Sequence, residues 1–583
     1  MACMGVAYVK GLQGDDLSKG VIATAKHFAA YSASEGGRNC APVRIGEREL
    51  REVYLYPFEA AVKVAKVMSI MSAYHDIDGV PCTASRKLLT EILRNEWGFE
   101  GFVVSDYGAI GMLKSFHFIA KDLKDAAIKA IKAGVDVELP SIACYGEPLL
   151  SAVKEGLIPM EVIDKAVARV LYVKFRLSLF ENPYVDVEKV PEILDSEDDR
   201  KLALELARKS IVLLKNDGIL PLRNVKTIAL AGPNADDPRN LLGDYTYTGH
   251  HDLEKPAVKV VTVLEGLRSR APAGVKILNA RGCGIVERDE AELRRAVEVA
   301  SQADVVIAVM GERSGLSPRA ITGEGRDRAL LSLPEAQEEL LEELIELGKP
   351  IVLVLVNGRP LNIEKFVDKV NAIIEAWFPG EEGGNAIADI LLGSYCPGGK
   401  LPITWPRSEG QLPLYYSMKP SSFKDYVFKS IEPLFPFGHG LSYTKFRYDK
   451  LRIEPERVEV GGEARISLEV ENIGDVEGDE VVQLYVRPLV ASVTRPMKEL
   501  KGFKRISLKP KEKVMVEFII HTEQLAFYDE NMRLIIEPST YEIMVGSSSE
   551  DVRLRGILEL HGRPMVVKRK KKFFTKVRLI KSS

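Results

Sequence analysis

The sequence predicts a multidomain α/β protein: part of a (β/α)8, TIM-like barrel, then an open-sheet α/β sandwich, then a β-sandwich. Three observations lead to this prediction. The chain has 583 residues, which is more than one hydrophobic core organises. Up to about residue 420, short apolar runs alternate with helical stretches, as in a parallel α/β sheet. From about residue 445, apolar and polar residues alternate with a period of two, as in an all-β domain.

Four strand candidates lie in the first 180 residues, at positions 21–25, 67–73, 102–105 and 135–139. Helical stretches fit between them, for example at residues 84–96 and 121–133. The first three strands end in polar residues, namely Lys26-His27, Tyr74-His75 and Asp106. In a βα barrel, the carboxyl ends of the strands form the catalytic edge. A closed barrel needs eight strands, so these residues predict only a portion of one.

A second α/β region follows a segment with the composition of a linker, which contains Pro183, Pro191 and the acidic residues 195–199. Its strand candidates at 227–231, 304–310 and 350–356 each run into glycine and polar residues. A helix at 289–301 places Leu293, Ala296 and Ala300 on one face. This pattern predicts an open sheet whose polar strand ends line a crevice.

The C-terminal region predicts a β-sandwich followed by a basic segment. Alternating apolar residues occur around positions 466–470, 482–486 and 514–520. The last residues are rich in lysine and arginine, a composition that favours a solvated tail, although Phe573, Phe574, Val577 and Leu579 predict that some of it packs as a strand. The resulting assignment gives residues 1–180 to the C-terminal portion of the barrel, 181–200 to the linker, 201–420 to the α/β sandwich, 421–444 to a connecting segment, 445–562 to the β-sandwich and 563–583 to the basic tail.

Charge and cysteine content exclude several classes of protein. The 80 basic and 83 acidic residues leave a formal charge of −3, so neither a nucleic-acid nor a membrane partner is expected for the body of the protein. No apolar run reaches the ~18 residues that span a bilayer. The six cysteines are scattered without zinc-ligand spacing, so no metal or other cofactor is expected. The first ten residues lack the pattern of a signal peptide, which predicts a cytoplasmic location.

The segment 101–107 ends an apolar run with Ser105, Asp106 and Tyr107, just before Gly108. This is the pattern of a buried parallel strand that delivers a polar side chain to the edge of a sheet. Two roles fit Asp106 at this point. It is either a catalytic carboxylate or the N-cap of the following helix.

Further polar residues fall at strand ends and in one loop of the second region. They are Lys26, His27, Arg38, Tyr74, Asp106 and the segment 322–328. Together they offer hydrogen-bond donors for several hydroxyls and one anionic oxygen, which suits a sugar. Structural roles also fit some of them: His27 as a core histidine bonded to the backbone beside an exposed Lys26, and Tyr74 as a buried aromatic with a satisfied hydroxyl.

The order of these motifs resembles glycoside hydrolase family 3, the β-glucosidase and β-xylosidase family. The resemblance rests on Lys26-His27-Phe28, Arg38, residues 71–74, 78–81, 101–107 and 133–136, then residues 323–328, 398–402 and 435–443. It covers nearly the whole chain and implies a fibronectin type III-like sandwich at the end. The hexosaminidase branch is excluded because Lys26-His27-Phe28 continues as Ala29-Ala30-Tyr31-Ser32, without the histidine of that branch.

The resemblance implies a retaining exo-acting β-glycosidase that releases terminal β-D-xylose or β-D-glucose from β-linked oligosaccharides. It implies Asp106 as the nucleophile and Glu324, in Gly-Glu-Gly-Arg-Asp-Arg, as the acid/base. Glu324 would reach the site on a loop of the second domain, which places the active site between domains. The resemblance further implies that the sugar is bound by Lys26, His27, Arg38 and Tyr74, with Tyr107 and Glu35 as additional contacts.

Glu312, which also follows a strand, is the alternative acid/base, but only Glu324 has the family's sequence context. Arg326 and Arg328 are expected to shape this loop through salt bridges.

The resemblance also implies that the front of the barrel is missing, because family members carry further strands ahead of the position of Lys26. The alternative function is therefore an incomplete remnant, or one chain of a split enzyme, that only binds carbohydrate. A complementing barrel segment, or a second copy of the chain, is the protein partner that this expectation predicts.

Overall fold

The computed structural model describes residues 1–581 as two compact units, and the chain passes between them more than once. The first, here called the N-terminal unit, contains Met1–Val187 and two later stretches, Ala526–Ile535 and Val566–Phe573. The second, here called the C-terminal unit, contains Glu188–Leu525, Ile536–Met565 and the residues from Phe574 onward. Among the described residues, no helix combines the length and the apolar character needed to cross a bilayer.

The N-terminal unit is built from βα elements around a parallel sheet. Its strands are β1 (Thr24–Phe28), β2 (Ser69–Ser72), β3 (Asp76–Ile77), β4 (Val80–Pro81) and β5 (Phe102–Val104). Its longer helices are Ala2–Gln13, Tyr56–Lys63, Lys87–Glu96, Ala109–Ser115, Leu123–Ala133, Glu147–Lys154 and Met160–Arg176. The sheet has the order β1-β2-β5 and both pairings are parallel, while β3 and β4 form a separate antiparallel ribbon.

Two of the predicted strands differ in the structure. The first begins at Thr24 and runs through Lys26 and His27 to Phe28, so these two residues lie within β1 and not beyond its end. The fourth, predicted at 135–139, runs beside β5 but makes only one bridge, between Val104 and Val137. The Asp136 side chain accepts the Val103 amide there, so a side chain replaces some of the regular ladder.

Asp136 forms a buried ion-pair network that holds β5. Its side chain is 1% exposed and contacts Arg94 Nη2 at 2.6 Å and Arg169 Nη1 at 2.7 Å. The Val103 amide donates to the same carboxylate at 2.8 Å. Burial raises the pKa of Asp136, and the two guanidinium groups oppose that rise. The network therefore anchors the strand that carries Asp106.

Replacing Asp136 with Ala should lower the free energy of unfolding by about 3–5 kcal/mol, because Arg94 would stay buried without its counter-charge. Urea unfolding followed by circular dichroism measures the change. The control is Glu161→Ala, which removes the exposed ion pair with Lys165 and should leave the unfolding midpoint unchanged. Equal midpoints for the Asp136 variant and the native protein would contradict the anchoring role.

The late stretches of the chain complete the N-terminal unit through specific contacts. Arg48 donates to the carbonyl oxygens of Tyr528 and Asp529, in each case at 2.8 Å. The Tyr56 hydroxyl donates to the Phe573 carbonyl at 2.7 Å, and the ammonium group of Lys570 lies 4.7 Å from the Tyr56 ring centroid. Lys570 and Phe573 are buried. This stretch of the basic segment is therefore packed, which corrects the expectation of a solvated tail.

The first portion of the C-terminal unit is a six-stranded sheet with helices on both faces. Its strands are β6 (Val212–Asn216), β7 (Thr227–Ala231), β8 (Lys276–Ala280), β9 (Val305–Gly311), β10 (Ile351–Val356) and β11 (Ala372–Glu375). Its helices are Val190–Ile193, Glu197–Ser210, Tyr247–His250, Val263–Arg270, Glu290–Ser301, Glu335–Glu346, Glu364–Val367 and Gly383–Leu392. The predicted linker thus already contains the start of a helix, because Ser196 and Asp199 form a capping box.

Successive residues of β9 and β10 point to opposite faces of this sheet, and both faces are buried. Val306, Ala308 and Met310 belong to one hydrophobic cluster, whereas Val305 and Ile307 belong to the other. A strand buried on both faces needs a continuous apolar run, which is the pattern that the sequence shows. The strand order is β6-β11-β10-β9-β7-β8, and only β6 is antiparallel to its neighbour. The order reverses between β7 and β9, which is where a crevice forms at the carboxyl ends of such a sheet.

The remaining strands are those of the predicted β-sandwich and three short strands, at 527–528, 534–536 and 565–566, that form a separate sheet. They are β12 (Phe446–Glu454), β13 (Arg457–Glu459), β14 (Glu463–Asn472), β15 (Gly478–Pro488), β16 (Glu499–Leu508), β17 (Lys513–His521), β18 (Phe527–Tyr528), β19 (Leu534–Ile536), β20 (Thr540–Gly546), β21 (Val552–His561), β22 (Met565–Val566) and β23 (Lys576–Lys581). One sheet has the order β12-β14-β17-β23 and the other β13-β21-β20-β15-β16. Strand β23 pairs with β17, so this stretch of the basic segment packs as a strand, as predicted.

Candidate active site

Asp106 lies directly beyond the carboxyl end of β5 and is buried, with 6% of its surface exposed. Its Oδ1 atom accepts the Tyr107 amide at 2.8 Å. The following helix, Ala109–Ser115, has Gly108 as its N-cap, and no side chain caps it. Of the two roles that the sequence left open for Asp106, the structure therefore removes that of helix cap. Of these two roles, only that of a catalytic carboxylate remains open for Asp106.

Glycine at position 101 allows β5 to approach its neighbour closely. A Cβ atom there would lie 2.0 Å from the carbonyl oxygen of Met68, at the start of β2. Glycine at this position permits the register that pairs Ser69 with Phe102. It places the end of β5, and with it Asp106, level with the end of β2.

Burial raises the pKa of the Asp106 carboxyl group. Three groups oppose this rise: the Tyr107 amide, the Tyr74 hydroxyl and the positive charge of Lys26. The His27 Nε2 atom lies 3.5 Å from Asp106 Oδ2. A nucleophilic carboxylate needs to be ionised but weakly solvated, and this balance of burial and donors provides both.

His27 and Tyr74 therefore lie beside Asp106, and the positive charge of Lys26 acts on its carboxylate. The binding of sugar by these residues stays a prediction. The His27 side chain is 19% exposed, and its ring packs against Tyr31 with 4.9 Å between the centroids. The Tyr74 hydroxyl donates to the Tyr107 carbonyl at 3.1 Å, which places it beside the carboxylate. Tyr107 itself is 60% exposed. The His27 ring faces a carboxylate and not a backbone group, whereas the Tyr74 hydroxyl is satisfied by a backbone carbonyl, so the structural role that the sequence left open for Tyr74 stays open.

Replacing Tyr74 with Phe should move the acidic limb of the pH profile of kcat/KM to higher pH. The limb reports ionisation of the nucleophile in the free enzyme. Burial already raises the pKa of Asp106, and loss of a group that lowers this pKa raises it further. Tyr107→Phe is the matched control, since Tyr107 acts on Asp106 through its amide and its acidic limb should stay in place. A shift to lower pH in Tyr74→Phe would refute the assignment.

Arg38 and Glu35 lie on the loop after β1, and their contacts are with that loop. The Arg38 side chain is exposed and its Nε atom donates to the Glu35 carbonyl at 3.2 Å. The Glu35 carboxylate contacts Arg44 Nε at 2.7 Å. The structure thus shows both residues in local interactions, and their contact with sugar stays a prediction.

Glu324 is exposed on a long loop that follows β9 in the C-terminal unit. Its amide donates to Asp244 Oδ2 at 3.0 Å, and the Tyr245 hydroxyl donates to its Oε2 at 3.3 Å. The preceding Gly323 has φ of +127°, and a Cβ atom there would lie 2.4 Å from the Gly315 carbonyl. Only glycine fits this position, so the backbone before Glu324 is tightly defined while its carboxylate faces outward.

Glu312 has the opposite environment, which separates the two candidates for the acid/base. It is completely buried, and its Oε1 atom contacts Arg328 Nη1 at 3.2 Å and Arg359 Nε at 3.4 Å. Burial raises its pKa. A carboxylate enclosed between two guanidinium groups has no access to a substrate oxygen. Arg328 is engaged in this salt bridge, as expected, whereas Arg326 donates to the Leu316 carbonyl and shapes the loop through the backbone.

Asp244 and Tyr245 are functional candidates that the sequence alone did not reveal. Both contact Glu324 from a segment about 80 residues earlier in the chain. Asp244 also lies 3.7 Å from His250 Nδ1. Their pattern, Gly-Asp-Tyr after a short turn, resembles an ordinary loop, so only the folded chain identifies them.

The fold is that of a multidomain glycoside hydrolase, and comparison with known families shows this class. The model of the glycosyl hydrolase family 3 N terminal domain matches residues 1–173, and that of the family's C-terminal domain matches residues 211–443. A fibronectin type III-like domain model matches residues 480–549. The chain belongs to glycoside hydrolase family 3. Because the N-terminal model matches from residue 1, it gives no support to the expectation that the front of the barrel is missing, or to that of a complementing segment.

Individual relatives agree with the family assignment. A β-xylosidase of Formosa agariphila is 41% identical over 94% of this chain and 77% of its own length. A periplasmic β-glucosidase of Salmonella typhimurium is 39% identical over 96% of this chain and 76% of its own. Among solved structures, a β-glucosidase from Erythrobacter marinus superimposes with a TM-score of 0.89 at 37% identity, covering 96% of this chain and 77% of that one. The structure of a Listeria innocua β-glucosidase in complex with isofagomine gives 0.88 at 33% identity, with 96% and 78% covered.

Proposed function

We propose that this glycoside hydrolase is a retaining, exo-acting β-glycosidase that releases terminal non-reducing β-D-xylose or β-D-glucose from β-linked oligosaccharides. The observation that carries the proposal is the buried Asp106 carboxylate, with Lys26, His27 and Tyr74 around it at the end of a barrel strand. The names of the relatives support the substrate class, since both β-xylosidases and β-glucosidases are among them.

In the first step, Asp106 attacks the anomeric carbon, and a covalent glycosyl-enzyme forms as the bond to the leaving oxygen breaks. Glu324 gives its proton to that oxygen, so the leaving group departs as an alcohol. In the second step, Glu324 removes a proton from water, and the water oxygen attacks the same carbon and releases Asp106. Two inversions give net retention, and the mechanism needs the carboxyl groups at roughly 5–5.5 Å from one another.

The side chains around Asp106 fit a neutral sugar ring rich in hydroxyls. Lys26 and His27 can donate hydrogen bonds to ring hydroxyls while they stabilise the negative charge of the nucleophile. The Tyr74 hydroxyl, which donates to the Tyr107 carbonyl, lies beside the carboxylate, and the exposed Tyr107 ring and Arg38 offer further contacts at the edge of the strand. Hydrogen bonds to the 2-hydroxyl that strengthen in the transition state would add to the rate.

Hydrolysis of 4-nitrophenyl β-D-xyloside and β-D-glucoside tests the proposal, with NMR of the first-formed sugar to determine its anomeric configuration. The β-anomer should appear first. An α-anomer as the first product would rule out double displacement.

The same assay separates the enzyme from a carbohydrate-binding protein without turnover. Sugar binding without hydrolysis, measured by calorimetry, would favour the alternative.

A further inference from the structure

Glu312 is fully buried in contact with two arginines, yet it lies outside the chemistry proposed above. It follows β9 at the point where the strand order of the sheet reverses. Its Oε1 atom faces Arg328 and Arg359, and its Oε2 atom accepts the Gly358 amide at 3.2 Å. A buried carboxylate with this many donors is tightly fixed in position, because each donor restricts it from a different direction.

The two arginines extend from Glu312 to the loop that carries Glu324. Arg359 Nη2 donates to Thr322 Oγ1 at 2.6 Å and to the Arg326 carbonyl at 3.2 Å. Thr322 precedes Glu324 in the sequence and Arg326 follows it, so Arg359 contacts the loop on both sides of Glu324. Arg328 Nη2 donates to the Ser332 carbonyl at 2.8 Å and so holds the end of the same loop.

The opposite side of the loop is held independently. Asp244 Oδ2 accepts the Glu324 amide at 3.0 Å, and Gly323 packs against the Gly315 carbonyl. Glu324 therefore lies between two fixed points, one at Asp244 and the other at the Arg359 contacts. Loss of the Arg359 contacts would remove side-chain bonds at Thr322 and Arg326, on both sides of Glu324 in the sequence.

We propose that Glu312 is a positioning residue for the acid/base: its buried charge fixes Arg359 and Arg328, and these fix Thr322, Arg326 and thereby Glu324. The inference rests on the proposed function of Glu324. It gives Glu312 a role in the reaction although its own carboxylate touches no substrate. A displaced acid delivers its proton poorly, so the defect should depend on how much the leaving group needs that proton.

Asp389 provides a matched control for this role. It is also a buried carboxylate between two arginines, and it lies on the helix Gly383–Leu392 of the same unit. Its Oδ2 atom accepts a hydrogen bond from Arg208 Nε and its Oδ1 atom one from Arg270 Nε, in each case at 2.8 Å, so these contacts are not with the loop of Glu324. Asp389→Asn should therefore change stability without changing selectivity among leaving groups.

The experiment compares kcat/KM of the full chain and its variants on phenyl and 2,4-dinitrophenyl β-glycosides. Phenolate needs a proton to leave, whereas dinitrophenolate does not. Glu312→Gln should lower kcat/KM for the phenyl substrate about 10- to 100-fold and leave the dinitrophenyl value within about twofold. Asp389→Asn should affect both substrates equally. An equal loss on both substrates with Glu312→Gln would overturn the proposal.

Thr322→Val is the second variant, and it decides the matter if Glu312→Gln does not fold. It keeps the shape of Thr322 but removes the hydroxyl that accepts the bond from Arg359. It should lower kcat/KM for the phenyl substrate about two- to tenfold and leave kcat/KM for the dinitrophenyl substrate unchanged. An equal loss on both substrates would overturn the inference. Glu324→Gln, measured in the same series, distinguishes failure of this inference from failure of the proposed function. If Glu324→Gln also lowers kcat/KM equally for the two substrates, the proposed function itself fails.

Discussion

Replacing Asp106 with Ala is expected to lower kcat/KM for aryl β-glycosides by at least about 10⁴-fold, because no other group can form the covalent intermediate. The side chain is buried at the end of β5 and takes no part in capping the following helix. The loss should therefore come from chemistry and leave the fold intact. Steady-state kinetics measures the loss, and circular dichroism checks the fold.

Azide distinguishes a missing nucleophile from a damaged site. In Asp106→Ala the carboxylate is replaced by a methyl group, so azide can enter and attack the anomeric carbon directly. A single inversion then gives the α-glycosyl azide, which NMR identifies. Asp164→Ala, at an exposed position on the helix Met160–Arg176, is the control and should retain native activity. Retained activity in Asp106→Ala would contradict the assignment of Asp106 as the nucleophile.

Replacing Glu324 with Ala is expected to lower kcat/KM for a disaccharide substrate about 10²- to 10⁴-fold, the range in which general acid catalysis contributes. Glu324 is exposed, and its amide rather than its carboxylate makes the contact with Asp244. Removal of the carboxylate thus leaves the loop attached. Hydrolysis of xylobiose and cellobiose, followed by chromatography of the released sugar, measures the effect.

The stereochemistry with azide distinguishes this variant from the previous one. Glu324→Ala still forms the glycosyl-enzyme on Asp106 from a 2,4-dinitrophenyl glycoside, and azide then releases it with a second inversion. The product should be the β-glycosyl azide. Glu409→Ala, which removes the acceptor of the Leu331 amide near the end of the same loop, serves as the control, and it should not give any glycosyl azide. Formation of the α-azide with Glu324→Ala would exclude an acid/base role.

The elements that the sequence predicted well are those in which one pattern determines the structure. Strand β7 has the predicted bounds, Thr227–Ala231, and β10 differs by one residue from the prediction. Both are continuous apolar runs that end in glycine or asparagine, and burial on two faces requires such runs. The fourth barrel strand was wrong because Asp136 interrupts the ladder with its own carboxylate. No periodicity reveals such a substitution of a side chain for a backbone group.

The residues of the candidate site likewise divide into those that the sequence predicted and those that only the folded chain identifies. The position of Asp106 was predictable because it follows a buried strand, and Tyr74 follows the neighbouring one. His27 lies beside the same carboxylate from within β1, and not from beyond its end as predicted. The residues around Glu324 could not be predicted, because Asp244 and Arg359 come from other segments of the chain. Glu312 was the alternative acid/base candidate because the sequence shows only that it is a carboxylate after the end of a strand. Its two arginine partners become visible only after folding.

The return of the chain to its N-terminal unit has a consequence for how the protein is made. A ribosome delivers residues 1–187 first, yet the partners of Arg48 and Tyr56 lie at Tyr528, Asp529 and Phe573. The strand that precedes Asp106 therefore belongs to a unit that cannot finish folding until nearly the whole chain has been synthesised. During translation the surface around Tyr56 stays uncovered, so a chaperone has a long interval in which to bind it, and early termination anywhere before Phe573 would leave the first unit unfinished.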